Sequence, residues 1–304
     1  MTATLRFAAH LASLASLVAC VPHNPTTSTI RDLDASAAIE ARATQLNGAV
    51  VRVMAFRLDG KGPRIAINSD SVVHAASTMK VPVLIALAQR ADRGQLRLDD
   101  AIPLRNAFTS IVDGSPYSLN KADDSDDTVY DRVGGRVPIR WLATRMITHS
   151  SNLATNTLLT VVAADSVTAV TRALGTTRML VRRGVEDGPA FRAGLNNTTT
   201  ASDLAALLAA IATNRAASAT SCGWMRDVLF AQAFNTAIPA GLPPGTRVAH
   251  KTGDITKVEH DAAIVYPQRG APYVLVVLTS GIENQAAART LIADIARIVH
   301  AAMR

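Results

Sequence analysis

The sequence predicts an α/β chain, more closely an α+β protein of two lobes, on three observations. β-Branched runs occupy both ends: Ala49 to Leu58 and Arg64 to Asn68, then Arg247 to Gly253, Ala262 to Tyr266 and Tyr273 to Ser280. Between Ala75 and Asn235 the apolar spacing is helical instead, and an amphipathic pattern sits at each end of the chain. Such a chain builds an antiparallel sheet from both ends, flanks it with terminal helices and inserts an all-helical lobe, leaving a cleft at the seam. With 304 residues, 48% of them hydrophobic, it can bury one large core shared by both lobes. The expected limits are a single domain over 32–304, with the sheet lobe at 32–70 and 245–304 and the helical lobe at 71–244.

Residues 1–19 read as a signal peptide: Arg6 is the basic start, and Phe7 to Ala19 form an apolar run too short to span a bilayer. Leu17-Val18-Ala19-Cys20 resembles the lipobox of bacterial lipoproteins, which implies that Cys20 carries lipid. Residues 20–31, with Pro22 and Pro25 and a hydroxyl-rich run, then form an extended tether. The expected location is therefore outside the cytoplasm, periplasmic or held on a bacterial envelope membrane through that anchor alone. Ala35, Ile39, Ala43 and Leu46 repeat at helical spacing from Arg31, with Asn47-Gly48 as the stop. Asp59-Gly60-Lys61-Gly62-Pro63 between the first two strands is a hairpin signal.

Helices follow at Ser77 and beyond, then over Ile139 to Ile147, Leu153 to Val162, Asp165 to Leu174, Ala201 to Ala212 and Gly223 to Phe234. A last helix runs through Leu291, Ile292, Ile295, Ile298 and Val299. From Ser110 to Arg136 the chain is polar, with Asp123, Asp124, Asp126 and Asp127. These acids lack the glycine and glutamate of an EF-hand, so the segment reads as a solvated loop rather than a calcium site.

The chemistry centres on Ala76-Ser77-Thr78-Met79-Lys80. Residues three apart on a helix share a side, so a hydroxyl and an amine become neighbours. The apolar run Val81, Val83, Leu84, Ile85, Leu87 and Ala88 buries that helix, and burial favours the neutral amine, which can accept the Ser77 proton. Pro82 lacks an N–H and fits near a helix start, which places Ser77 at a helix N-terminus, where an anion is favoured. By itself a Ser-x-x-Lys pair is commonplace on protein surfaces. Composition sharpens it: of 31 basic side chains only Lys61, Lys80, Lys121, Lys251 and Lys257 are lysines. Arginine cannot release its proton at working pH, so an apolar-flanked lysine in an arginine-rich chain points to chemistry.

The net charge of +7 raises nucleic acid as a partner, but Arg182-Arg183 is the only adjacent arginine pair and aromatics make up only 4%. Without a basic stripe or stacking platform, nucleic-acid binding is not expected. The two cysteines, Cys20 and Cys222, offer no metal-ligand spacing, and Cys222 reads as a buried apolar residue. No cofactor and no metal are expected.

Two further motifs complete the set. Ser150-Ser151-Asn152 falls between helical patterns, where Ser150 can relay a proton and Asn152 can hold an amide carbonyl. His250-Lys251-Thr252-Gly253 ends a strand at the lobe boundary; Lys251 with Thr252 can bind a carboxylate, and Gly253 is expected to leave room for substrate. Ser77-x-x-Lys80, then Ser150-x-Asn152 with Leu153-Ala154-Thr155-Asn156, then Lys251-Thr252-Gly253, resembles the ordered motif set of class A β-lactamases and penicillin-binding proteins. The likeness runs from Leu33 to the C-terminus.

It implies a β-lactamase/transpeptidase-like fold and a monomeric serine acyl transferase acting on β-lactams or D-Ala-D-Ala peptides. It also implies an oxyanion hole made by the backbone N–H groups of Ser77 and Asp254. The departure is in the Ω-loop. Class A enzymes carry Glu-x-x-Leu-Asn there, and aligning Leu195-Asn196 with that motif puts Arg192, which cannot be a base, at the glutamate position. Glu186, before Asp187, is the remaining candidate to activate the deacylating water. Three functions follow from this reading. They are β-lactam hydrolysis, a peptidase or transpeptidase that β-lactams acylate durably, and a non-catalytic envelope lipoprotein that binds cell-wall peptides.

Overall fold

The computed structural model describes Met1 and residues 27–304. The expected signal peptide and Cys20 lie outside the described residues. In chain order the elements begin with α1 (Thr27–Ala43), β1 (Val50–Arg57), β2 (Arg64–Ile67), β3 (Val73–His74) and α2 (Lys80–Asp92). Next come β4 (Ala101–Pro103), β5 (Phe108–Thr109), β6 (Pro116–Tyr117), β7 (Arg136–Pro138), α3 (Ile139–Thr148), α4 (Asn152–Val162), α5 (Ala164–Ala173) and α6 (Gly188–Arg192). The chain ends with β8 (Thr198–Thr199), α7 (Ala201–Ala212), α8 (Ala219–Phe230), β9 (Arg247–Ile255), β10 (Val258–Tyr266), β11 (Tyr273–Ser280) and α9 (Gln285–Ala302).

A five-stranded sheet in the order β2-β1-β11-β10-β9 joins the two chain ends, every neighbouring pair antiparallel, as expected. β11 is central and buried on both faces, which explains why Tyr-Val-Leu-Val-Val-Leu shows no polar alternation. Period-two alternation sorts the other strands. Ile39 of α1 and Leu291, Ile292 and Ile295 of α9 cover one face, in one core with Val53, Ile65 and Val277. The other face carries Met54, Val276 and Ala262, in a second core with Leu204 and Leu208 of α7 and the residues of α2. The cross-sheet row Met54–Val276–Ala262 continues to Lys251, so the pleat turns that lysine toward the helical lobe. α2 is buried from Lys80 to Ala88 and apolar all round, the pattern of a lobe's central helix.

Several elements depart from expectation. α1 begins at Thr27, so the last residues of the expected tether are helical; a hydroxyl-rich stretch suits a helix start as well as an extended linker. The helical lobe is not purely helical, since β3–β8, β4–β7 and β5–β6 form two-stranded ribbons too short to leave a periodic signal. β10 starts at Val258 rather than Ala262, because Glu259, His260 and Asp261 are buried inside the strand with polar partners and hide its apolar pattern. The acidic segment is more than a solvated loop. Asp126 is buried and paired with Arg145 at 2.5 Å, and Asp124 accepts the α4 backbone N–H groups of Asn152 at 3.0 Å and Leu153 at 2.9 Å. Cys222 is a buried free thiol, as expected.

Candidate active site

Ser77 lies in a 3₁₀ turn, Ala76–Met79, that runs directly into α2. Three residues per turn stack positions i and i+3, and Lys80 Nζ accordingly sits 2.9 Å from Ser77 Oγ. The residue before the hydroxyl, Ala76, has φ +45°, a left-handed conformation that costs a non-glycine residue about 1–3 kcal/mol. His74 Nδ1 accepts the Ala76 N–H at 3.0 Å and helps to hold it. Ser150 (φ +59°) and Glu186 (φ +63°) are left-handed too, so three of the strained non-glycine residues belong to this one site.

Lys80 Nζ has four oxygen neighbours: Ser77 Oγ, the Ser150 carbonyl at 2.6 Å, Ser150 Oγ at 3.2 Å and Asn152 Oδ1 at 2.9 Å. The carbonyl and amide oxygens can only accept, so they take two N–H bonds. A neutral amine then has its lone pair left for a hydroxyl proton. Burial pushes the Lys80 ammonium down to about 7, against the opposing pull of Asp124, Asp254 and Glu186. Lys251, equally buried, lies 3.0 Å from Ser150 Oγ and donates to the Thr252 carbonyl at 2.8 Å. Burial, then the neighbouring Lys80 charge, holds Lys251 well below its ordinary value. Ser150 thus touches both amines and can pass a proton between them and a leaving group.

Glu186 joins through Asn152, whose Nδ2 donates to Glu186 Oε1 at 3.0 Å. Burial raises its carboxyl above the usual range, partly offset by that hydrogen bond. Ser77, Asn152, Glu186, Arg183, Phe191 and Asp254 are among the residues lining one cavity of about 640 Å³. Asp187 is excluded as the alternative base, because it is buried and spent on structure: it accepts from Ser110 Oγ at 2.7 Å, Ile111 N at 3.0 Å and Ala190 N at 3.1 Å. Arg192 is exposed and does not line the cavity.

Gly253 does not leave room for substrate, as its place in the motif led us to expect. A Cβ there would lie 2.8 Å from Ser77 N and 2.9 Å from Thr78 N, so this glycine makes room for the nucleophile's own backbone rather than for substrate. β9 is an edge strand, whose outward peptide groups have no sheet partner. Thr252 and Asp254 line an adjoining cavity of about 280 Å³.

Residues beyond the sequence reading complete the frame. Asn156, one helical turn after Asn152, is buried and clamps the loop: its Oδ1 accepts from Val185 N at 2.6 Å and its Nδ2 donates to Val185 O at 2.9 Å. Arg183 spans the same loop through Leu195 O and Asn196 Oδ1, and Asn197 Oδ1 receives the N–H groups of Arg182 and Arg183. Two asparagines four apart in an apolar helix are a readable signal for Asn156. The Asp124 contact, bridging 28 residues of sequence, has none.

A profile described as the β-lactamase enzyme family matches residues 34–303. The chain belongs to this family. Among its relatives is a β-lactamase of Rhodobacter capsulatus, 26% identical over 252 residues, covering 81% of this chain and 80% of the relative. The structure of PBP-A superposes with a TM-score of 0.75 at 26% identity, over 88% of this chain and 95% of that one. A β-lactamase from Sphaerobacter thermophilus gives 0.76 at 27%, over 90% and 97%. An acyl-enzyme of the L158E variant of PBP-A with penicillin G is a further structural neighbour, at 0.75 and 26% over 89% and 96%. The β-lactamase-family member described here therefore has a serine-hydrolase fold, with Ser77, Lys80, Ser150, Asn152 and Lys251 joined by hydrogen bonds where its lobes meet.

Proposed function

We propose that this protein hydrolyses β-lactams through an acyl-enzyme on Ser77. Lys80 takes the Ser77 proton as Oγ attacks the lactam carbonyl, and the backbone N–H groups of Ser77 and Asp254 stabilise the oxyanion. The C–N bond breaks as Ser150, in contact with both amines, protonates the nitrogen. Asn152 holds the substrate amide, and Lys251 with Thr252 holds the carboxylate. Glu186 then removes a proton from the water that attacks the acyl carbonyl; the acyl C–Oγ bond breaks, and Ser77 Oγ leaves with a proton returned through Lys80, which restores the free serine.

The observation that carries hydrolysis, beyond acylation, is the Asn152–Glu186 hydrogen bond of 3.0 Å, which supports a carboxylate beside the nucleophile despite the divergent loop. A second reading, a D,D-peptidase-like protein that β-lactams acylate durably, is favoured by the likeness to PBP-A. Incubation with benzylpenicillin followed by intact-protein mass distinguishes them: rapid return to the free mass supports hydrolysis, a long-lived adduct the second reading, and no adduct neither. In this scheme the enzyme is exported to the bacterial envelope, with Cys20 lipidated; loss of membrane association on Cys20→Ser tests that.

A further inference from the structure

The cavity next to the Thr252 end of the cleft holds an acid that the acyl-transfer scheme does not use. Glu259 is 3% exposed, Arg289 Nε donates to its Oε1 at 3.1 Å, and its Oε2, also buried, has no hydrogen-bond partner among the described residues. The sheet register explains the placement. Glu259 pairs with Asp254 on one side and Thr279 on the other, in the row that faces the α9 side of the sheet, and Arg289 comes from the first turns of that helix. Thr252, Asp254, Glu259, Arg289 and Ser125 all line this cavity. A buried carboxyl oxygen without a partner is costly unless it is neutral or meets a ligand.

We propose that Glu259 is a specificity-determining residue that reads the charge of the substrate's acid end: protonated, its Oε2–H donates to a substrate carboxylate beside Thr252 and Arg289; ionised, it repels that carboxylate. This rests on the acyl-transfer reading above and adds a residue to its carboxylate end. The two states follow from the surroundings. Burial pushes the Glu259 carboxyl up to about 7; Arg289, from α9, opposes this, while Asp254 of β9 and Asp261 of β10 push the same way. His260, next on β10, turns away from the Glu259 carboxyl: it meets the Glu259 carbonyl through Nδ1 at 2.8 Å and the His74 carbonyl through Nε2 at 2.9 Å, and β11 contributes the uncharged Thr279 hydroxyl to the Glu259 carbonyl at 2.7 Å. Below pH 7 the subsite therefore offers an arginine and an acid O–H; above it, a carboxylate cancels the arginine.

The test compares acylation of Ser77 by benzylpenicillin and by its methyl ester between pH 5.5 and 8.5. Titration of Lys80 affects both compounds and cancels in the ratio of their acylation efficiencies; Lys251, which also meets the carboxylate, is common to the wild type and the Glu259 variant, so the difference between those two isolates Glu259. In the wild type the acid-to-ester ratio should fall as pH rises through 7, by up to about tenfold per unit at its steepest. Glu259→Gln, which keeps a donor and loses the charge, should raise the ratio above pH 7 and make its fall shallower than in the wild type. Arg289→Gln should lower it at every pH. A flat wild-type ratio, or one whose pH dependence is unchanged by Glu259→Gln in a variant that melts like the wild type, overturns the proposal while leaving acylation intact. No acylation by either compound removes the acyl-transfer reading itself, and this proposal with it.

Discussion

Asn152 Nδ2 lies 3.0 Å from Glu186 Oε1, while the Oδ1 of the same amide accepts from Lys80 at 2.9 Å. One side chain therefore joins the group proposed to start the reaction to the group proposed to finish it. Because the amide cannot donate from its oxygen, the two contacts also set its orientation.

Glu186→Gln should separate the two half-reactions. Acylation persists, and deacylation slows by about 10²–10⁴-fold, the usual contribution of a general base. Intact mass should show the adduct accumulating. Arg192→Ala, at an exposed position that does not line the cavity, should leave both half-reactions and the melting temperature unchanged.

Lys80 should give acylation its acid limb. The reactive form is the neutral amine, so with the methyl ester, which has no carboxylate for Glu259 to read, the rate rises with pH through about 7 and levels off above it. Lys80→Arg, charged at any working pH, should abolish the adduct; stopped-flow acylation against pH checks both outcomes.

Gly253→Ala should lower stability and acylation together. The added methyl would sit 2.8 Å from Ser77 N, so backbone must move, at about 1–3 kcal/mol. A nucleophile displaced by about an ångström loses on the order of 10²-fold in rate. Thermal denaturation and acylation kinetics measure the two losses.

Asn156→Leu should act on the loop rather than on the nucleophile. It leaves the Val185 N–H and carbonyl unpaired, at about 1–3 kcal/mol, and frees the segment that carries Glu186. Deacylation should slow more than acylation, and limited proteolysis should cut the chain between Arg183 and Asn197 faster than in the wild type.

The sheet built from both chain ends, the position of Ser77 at a helix start, and the residue types able to perform acyl transfer were all legible along the chain. Those features are local: periodicity, a proline near a helix start and a lysine among apolar residues can be read within a few positions. The packed fold chose between Glu186 and Asp187, since adjacent carboxylates are told apart by what surrounds them: both line the cavity, but Asp187 is occupied by three donors while Glu186 meets the Asn152 amide. It also decided what Gly253 is for and where Asp124, Asn156 and Glu259 act. Their partners lie on other elements, and the distances between them exist only once the lobes have packed and the water between them has gone.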